Sequence, residues 1–261
     1  MLLKDKVAVV YGGSGAVGGA VARAYAREGA RVFLAARNRT ALEKVAAEIA
    51  AAGGRAEVTI VDATSPVSIH AHLDAVVAAA GPVRLMFNGV SWADTQGSSM
   101  ADMGFAAMFE PIRLSMISWY HTGIIMARHM GQHGGGAIVG ITANVARWPS
   151  PAIGGFGIAC AAVEHFLRQL GMEHGPSGVR VCWVRSPGSP DAPGVRDIWQ
   201  KHAEEGGISF EDLHRDYAKT TPLRRIAHLA QVADAAVLLS SDLASAMTAT
   251  VANATGGSQI D

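Results

Sequence analysis

The stretch that most limits what this chain can fold into is KVAVVYGGSGAVGGAVARAYAREG, residues 6–29. Its apolar run ends in glycines, as a buried strand does. Val17, Val21 and Tyr25 then recur every four residues, as one face of a helix does, and the pattern stops near Gly29. Between the two, Gly13-Ser14-Gly15-Ala16-Val17-Gly18 is a literal GxGxxG. Glycines allow a tight turn and let the backbone approach a pyrophosphate closely. The free N–H groups and the positive dipole end of the following helix favour the anion. Strand, glycine turn and helix in this order predict a dinucleotide-binding unit rather than a bare glycine-rich turn.

The same alternation continues. RVFLAA (31–36), AEVTIV (56–61), VRLMF (83–87), GAIVGI (136–141), VRVCWV (179–184) and ATVANA (249–254) read as strands. Helical patterns over 41–52, 67–80, 104–130, 157–170 and 230–241 separate most of them. Strands alternating with helices predict an α/β fold: a Rossmann-type, doubly wound parallel sheet of about seven strands, in one domain over 1–261. The stretch 186–228, rich in Pro, Gly and charge, breaks the pattern and reads as an irregular substrate lid at the sheet's edge.

Composition removes several functions. The 22 basic and 22 acidic residues cancel, so no basic excess points to nucleic acid. Cys160 and Cys182 lie far apart without metal-ligand spacing, which fits a reducing cytosol and small buried hydrophobes. No long apolar leader or membrane-length run stands out, so a cytoplasmic location and no membrane partner are expected. His129 and His133 are spaced i, i+4 but lack a nearby carboxylate. They read as solvated helix-end cations, and no metal is expected.

The end of the second strand selects the cofactor. An acid there would hold a ribose 2′-hydroxyl. This chain has Ala36, Arg37 and then Arg39, and a cation suits a 2′-phosphate. The expected cofactor is therefore NADP(H).

Over nearly its full length the chain resembles the short-chain dehydrogenase/reductase family. Tyr11-Gly12, three residues, then Ala16-Val17-Gly18 is similar to the family's TGxxxGxG with the middle glycine missing. VDAT (61–64) resembles the segment that puts an aspartate, here Asp62, near the adenine. FNGVS (87–91) resembles NNAG, with Asn88 kept and Gly89 in place of the second asparagine. RVCWVRSPG resembles the strand and Pro-Gly loop, with Pro187 in the cofactor contact and a register open by one residue. In one register Pro190 sits where a backbone N–H would hold the nicotinamide amide, and proline has none. The resemblance implies a cofactor site of Gly12, Ser14, Gly15, Val17, Gly18, Arg37, Asp62, Asn88, Gly89 and Pro187. It also implies a homo-oligomer, tetramer or dimer, packed through the long helix and the helix of 157–170. Trp119, Ile124, Ile125, Phe166 and Leu167 there are more apolar than one core stripe needs, although core packing also accounts for them.

The family's chemistry uses a tyrosine acid, a lysine one helical turn on, an orienting serine and a relay asparagine. Here the matching positions hold Phe156, Cys160, Ala143 and Ser115. Phenylalanine has no proton to give, and a cysteine is too short to reach a ribose as lysine does. Thr142, Asn144 and Asp191 are the candidate replacements. Ser91, Arg147 and Arg185 are expected at strand ends or on the loop after the sixth strand. Trp92, Trp148 and Phe156 could line an apolar pocket or simply pack. Two functions follow. One is an NADPH-dependent oxidoreductase of a small organic substrate by a tyrosine-independent route, with imine, iminium or conjugated C=C substrates that bring their own activation. The other is a non-redox protein on the same scaffold: a cyclase, an isomerase or a nucleotide-sensing partner.

Overall fold

The computed structural model describes residues 1–92 and 96–260. Seven parallel strands form one sheet: β1 (Val7–Tyr11), β2 (Arg31–Ala36), β3 (Arg55–Ile60), β4 (Leu85–Asn88), β5 (Gly136–Ala143), β6 (Val179–Ser186) and β7 (Thr250–Asn253), in the order β3-β2-β1-β4-β5-β6-β7. Side chains alternate across each strand. Val10 therefore joins the core under α1 (Ala16–Arg27), α2 (Arg39–Ala51) and α8 (Leu229–Ser240). Val9 joins the opposite core under α3 (Pro66–Ala80), α4 (Phe105–Gln132) and α5 (Gly155–His174). Burial on both faces explains why these strands read as continuous apolar runs. The strand order reverses between β1 and β4, and the crevice at their C-terminal ends is where such sheets take ligands.

Three local features differ from the sequence expectation. β6 runs two residues further than VRVCWV, so Arg185 lies in the strand and not on the loop after it. The stretch 186–228 is largely helical, with α6 (Pro193–Glu205) and α7 (Phe210–Thr220). Its helices bury little, so a core-facing stripe is absent from the sequence. Local chemistry forms them: Pro193 opens α6, and the Ser209 side chain caps α7 by accepting from the Asp212 N–H. They are joined by Trp199 against Tyr217, ring centroids 5.0 Å apart, and by Arg196 over Phe210 at 4.8 Å. Third, His129 is buried, not solvated: its Nε2 accepts from the Val83 N–H, and its carbonyl bonds His133 Nδ1. Among the described residues no cluster of metal ligands occurs, neither cysteine forms a disulfide, and no helix is long and apolar enough to cross a membrane.

Both ends of the α6–α7 segment are tied together. Both Asp191 oxygens accept from the Leu229 N–H, at 3.1 and 3.2 Å, and so occupy the N-terminus of α8.

Below β1, Tyr11 and His72 of α3 meet edge to face at 5.9 Å. The Tyr11 hydroxyl and both His72 ring nitrogens are buried without a hydrogen-bond partner. Burial pushes the Tyr11 hydroxyl pKa up and holds that of His72 down at about 4. A histidine whose folded pKa is depressed binds fewer protons folded than unfolded. Its neutral form therefore supports the fold above the ordinary value near 6.5, and that support is lost as pH falls toward 4. Between pH 7 and pH 5 the loss is about 2 kcal/mol. Urea unfolding of the parent is expected to show this slope, and His72→Leu to flatten it. An unchanged slope in the variant would place the acid sensitivity elsewhere.

Candidate active site

The turn after β1 is built from backbone against backbone. Gly12 has φ +73°, and a Cβ there would run into the Gly89 carbonyl and lie 2.6 Å from the Val90 N. A Cβ on Gly18 would run into the Gly12 carbonyl, which locks α1 onto the turn. Only glycine satisfies these approaches. Ala16, at the family's missing glycine, instead starts α1 and is tolerated there. Gly15 caps α1 with no side-chain bond, so the first-turn N–H groups are left for a ligand.

Beside this turn lies a cavity of about 640 Å³. Six of the ten expected cofactor residues line it: Gly12, Ser14, Gly15, Arg37, Asp62 and Gly89. The other four do not. Val17 packs on the core, and Gly18 lies behind Gly12. Pro187 follows the end of β6. Asn88 is buried, donating to Thr122 Oγ1 at 2.9 Å and accepting from the Val90 N–H at 3.0 Å. It ties β4 to α4 and shapes the floor under Gly89.

The polar end of the cavity has a definite charge pattern. Asn38 caps α2 through the Ala41 N–H, and Arg39 is drawn to Glu43 at 3.5 Å. The exposed Arg37 and Arg39 both line the cavity, and Arg37, just before α2, has no such carboxylate one helical turn on. The Thr64 hydroxyl at 2.7 Å and the Thr64 N–H at 2.9 Å hold the Asp62 carboxyl below the usual range, and Arg37 adds to this. Thr64 was not among the expected site residues, although Asp-x-Thr is a turn signature that could have marked it. Leu114 of α4 also lines the cavity, and nothing in its sequence neighbourhood signals that. The cradle fits a dinucleotide: it has close-approach glycines, a bare helix N-terminus and a cation at the second strand's end.

At the other end, most candidate proton donors are committed elsewhere. Thr142 donates to Glu164 Oε1 at 2.9 Å. Glu164, on α5, also receives Arg185 through Nε at 3.0 Å and Nη2 at 2.8 Å. All three are buried beneath the β5 and β6 ends, where Thr142 and Arg185 stand in register. Ser115 is buried and donates to the Ile112 carbonyl. Asp191 caps α8 and lies 3.5 Å from His228 Nδ1. Asn144 is half-buried just after β5, and its amide has no ionisable proton. Cys160 is fully buried on α5. Phe156, in the first turn of α5, is half-buried against Trp92, with ring centroids 5.9 Å apart and a tilt of 49°. Trp148 and Arg147 are exposed at the rim.

A family model described as enoyl-(acyl carrier protein) reductase matches residues 13–259. An uncharacterized oxidoreductase of Mycobacterium tuberculosis is 28% identical over 98% of this chain and 92% of its own length. A peroxisomal 2,4-dienoyl-CoA reductase of Danio rerio is 28% identical over 98% and 82%. A solved short-chain type dehydrogenase/reductase from Mycobacterium ulcerans superposes with a TM-score of 0.87 at 28% identity, covering 99% of this chain and 91% of that one. With the seven-stranded parallel sheet and its glycine cradle, these matches show that the chain belongs to the short-chain dehydrogenase/reductase family of oxidoreductases.

Proposed function

We propose that the protein is an NADP(H)-dependent oxidoreductase acting on a small organic substrate without a tyrosine acid, by reduction of an imine, an iminium ion or a conjugated C=C bond. The observation that carries this reading is the pairing of an intact dinucleotide cradle with a phenyl ring, Phe156, at the position expected of the acid. When bound, NADPH supplies a hydride. The chain's own residues then bind and orient. The α1 N-terminus and the Gly12–Gly15 turn would hold the pyrophosphate, Arg37 the 2′-phosphate and Asp62 the adenine side. The family match to an enoyl reductase and the dienoyl-CoA reductase relative support a substrate of the conjugated kind. The reading includes a cytoplasmic homo-oligomer, tetramer or dimer. Trp119, Ile125 and Leu167 lie in the core, so the exposed Phe105, Phe109, Tyr120, Ile158 and Met172 on α4 and α5 are the apolar groups left for it.

Calorimetric titration tests the cofactor assignment. The parent is expected to bind NADPH more tightly than NADH. Arg37→Ala is expected to lose about 10–100-fold in NADPH affinity, as a charge-assisted hydrogen bond is worth roughly 1.5–3 kcal/mol, with NADH affinity little changed. A preference for NADH that survives Arg37→Ala would remove the assignment. Tight NADPH binding with no turnover of any imine or conjugated carbonyl would favour the non-redox use of the scaffold.

A further inference from the structure

We propose that Trp92 is the substrate-positioning residue of this pocket. Its indole N–H donates to the carbonyl oxygen of a flat conjugated carbonyl compound lying against the Trp92 and Phe156 rings. The inference rests on the reductase reading and narrows it. Ser91, one residue before, lines the dinucleotide cavity, so Trp92 stands at the cavity's margin. Its ring packs on the core beneath the sheet and against Phe156. Its Nε1 is shut off from solvent and has no hydrogen-bond partner. Buried donors are rarely left this way, and an unused one near a ligand cavity has a use when the ligand arrives. Phe156, whose ring packs on that of Trp92, is itself only half-buried, so the pair is reachable from outside the core.

The chemistry of the indole selects among the substrates. An indole N–H donates and cannot accept, and it holds its proton throughout the accessible pH range. It repels an iminium N–H and fits a carbonyl oxygen. On a conjugated carbonyl, hydride from NADPH bonds to the β-carbon and the C=C pair shifts toward the oxygen. The Trp92 N–H stabilises the charge that develops there. The α-carbon takes a proton from water, and the products are NADP+ and the saturated carbonyl compound. No proton leaves the protein, in agreement with the commitments of Thr142, Ser115 and Asp191.

The test uses 4-dimethylaminocinnamaldehyde, a conjugated aldehyde whose visible band moves to the red when its oxygen accepts a hydrogen bond, with the enzyme saturated in NADP+ so that no hydride is available. The parent is expected to bind it with a red shift. Trp92→Phe, which keeps a ring and loses the N–H, is expected to bind about tenfold more weakly, since one hydrogen bond is at stake, and without the shift. Phe156→Leu is expected to keep the shift. An equal shift in Trp92→Phe would overturn the proposal, as would a parent that binds NADP+ but not the aldehyde. Failure of the parent to bind NADP+ in calorimetry would instead bring down the reductase reading and this inference with it.

Discussion

Glu164→Gln is expected to destabilise the protein by about 2–3 kcal/mol, because it weakens two buried charge-assisted hydrogen bonds from Arg185. Arg185 is 1% exposed and sends both Nε and Nη2 to Glu164. Glutamine keeps the shape and one acceptor but removes the charge opposite a guanidinium that cannot deprotonate. Arg168 does not share this exposure to loss, since it lies 3.5 Å from Glu164 and is partly in water. Thr142→Val should cost only about 1 kcal/mol, because it deletes a single neutral donor to the carboxylate. The double change Glu164→Leu, Arg185→Met removes both charges, and its departure from the sum of the single changes measures their coupling. Urea unfolding at pH 7 distinguishes these outcomes. A loss below about 1 kcal/mol in Glu164→Gln would mean that these two hydrogen bonds contribute little to the fold.

Simple ketones should be reduced slowly, by about 10²–10⁴-fold relative to an enzyme of this kind with a positioned acid, which is what general acid catalysis typically contributes. A ketone leaves an alkoxide that needs a proton at oxygen, and Phe156 supplies none. The other groups at that end are engaged: Thr142 with Glu164, Ser115 with a helix carbonyl, Asp191 with α8. Following NADPH oxidation against ketones, cyclic imines and enones checks this. Phe156→Tyr, alone and with Cys160→Lys, should raise ketone turnover more than enone turnover. Fast ketone reduction by the parent would point to Asn144 or an ordered water as the working group and would sink the tyrosine-independent reading.

The two ends of the site were unequally legible in the sequence. Arg37, Asp62 and Gly89 were expected together and do line one cavity, because each sits at a strand's C-terminal end and the strand periods were unambiguous. Thr142 and Ala143 show the limit. They are adjacent on β5 and point to opposite faces, so a shift of one residue decides whether a hydroxyl meets a ligand or a buried carboxylate. The partner that claims Thr142 is 22 residues away, and the helix that claims Asp191 begins 38 residues on. Pairings at such separation leave no periodic trace. Glu164 gives no signal for the same reason: on a helix read alone, an acid looks like a solvated face. Arg185 looked like a loop cation because its strand outlasts its apolar run by two residues.

The Asp191–Leu229 clasp has an evolutionary reading. It closes a ring of chain around α6 and α7, and the Leu223 N–H, bonded to the Gly256 carbonyl, ties the end of that segment to the stretch after β7. Whatever lies inside the ring can be lengthened, shortened or exchanged at small cost, since doubling a closed loop adds only about 0.6 kcal/mol of closure entropy. The clasp thus makes α6 and α7, residues 193–220, an interchangeable cassette. Descendants of this chain could trade one cassette for another and meet new molecules without revising the cofactor cradle.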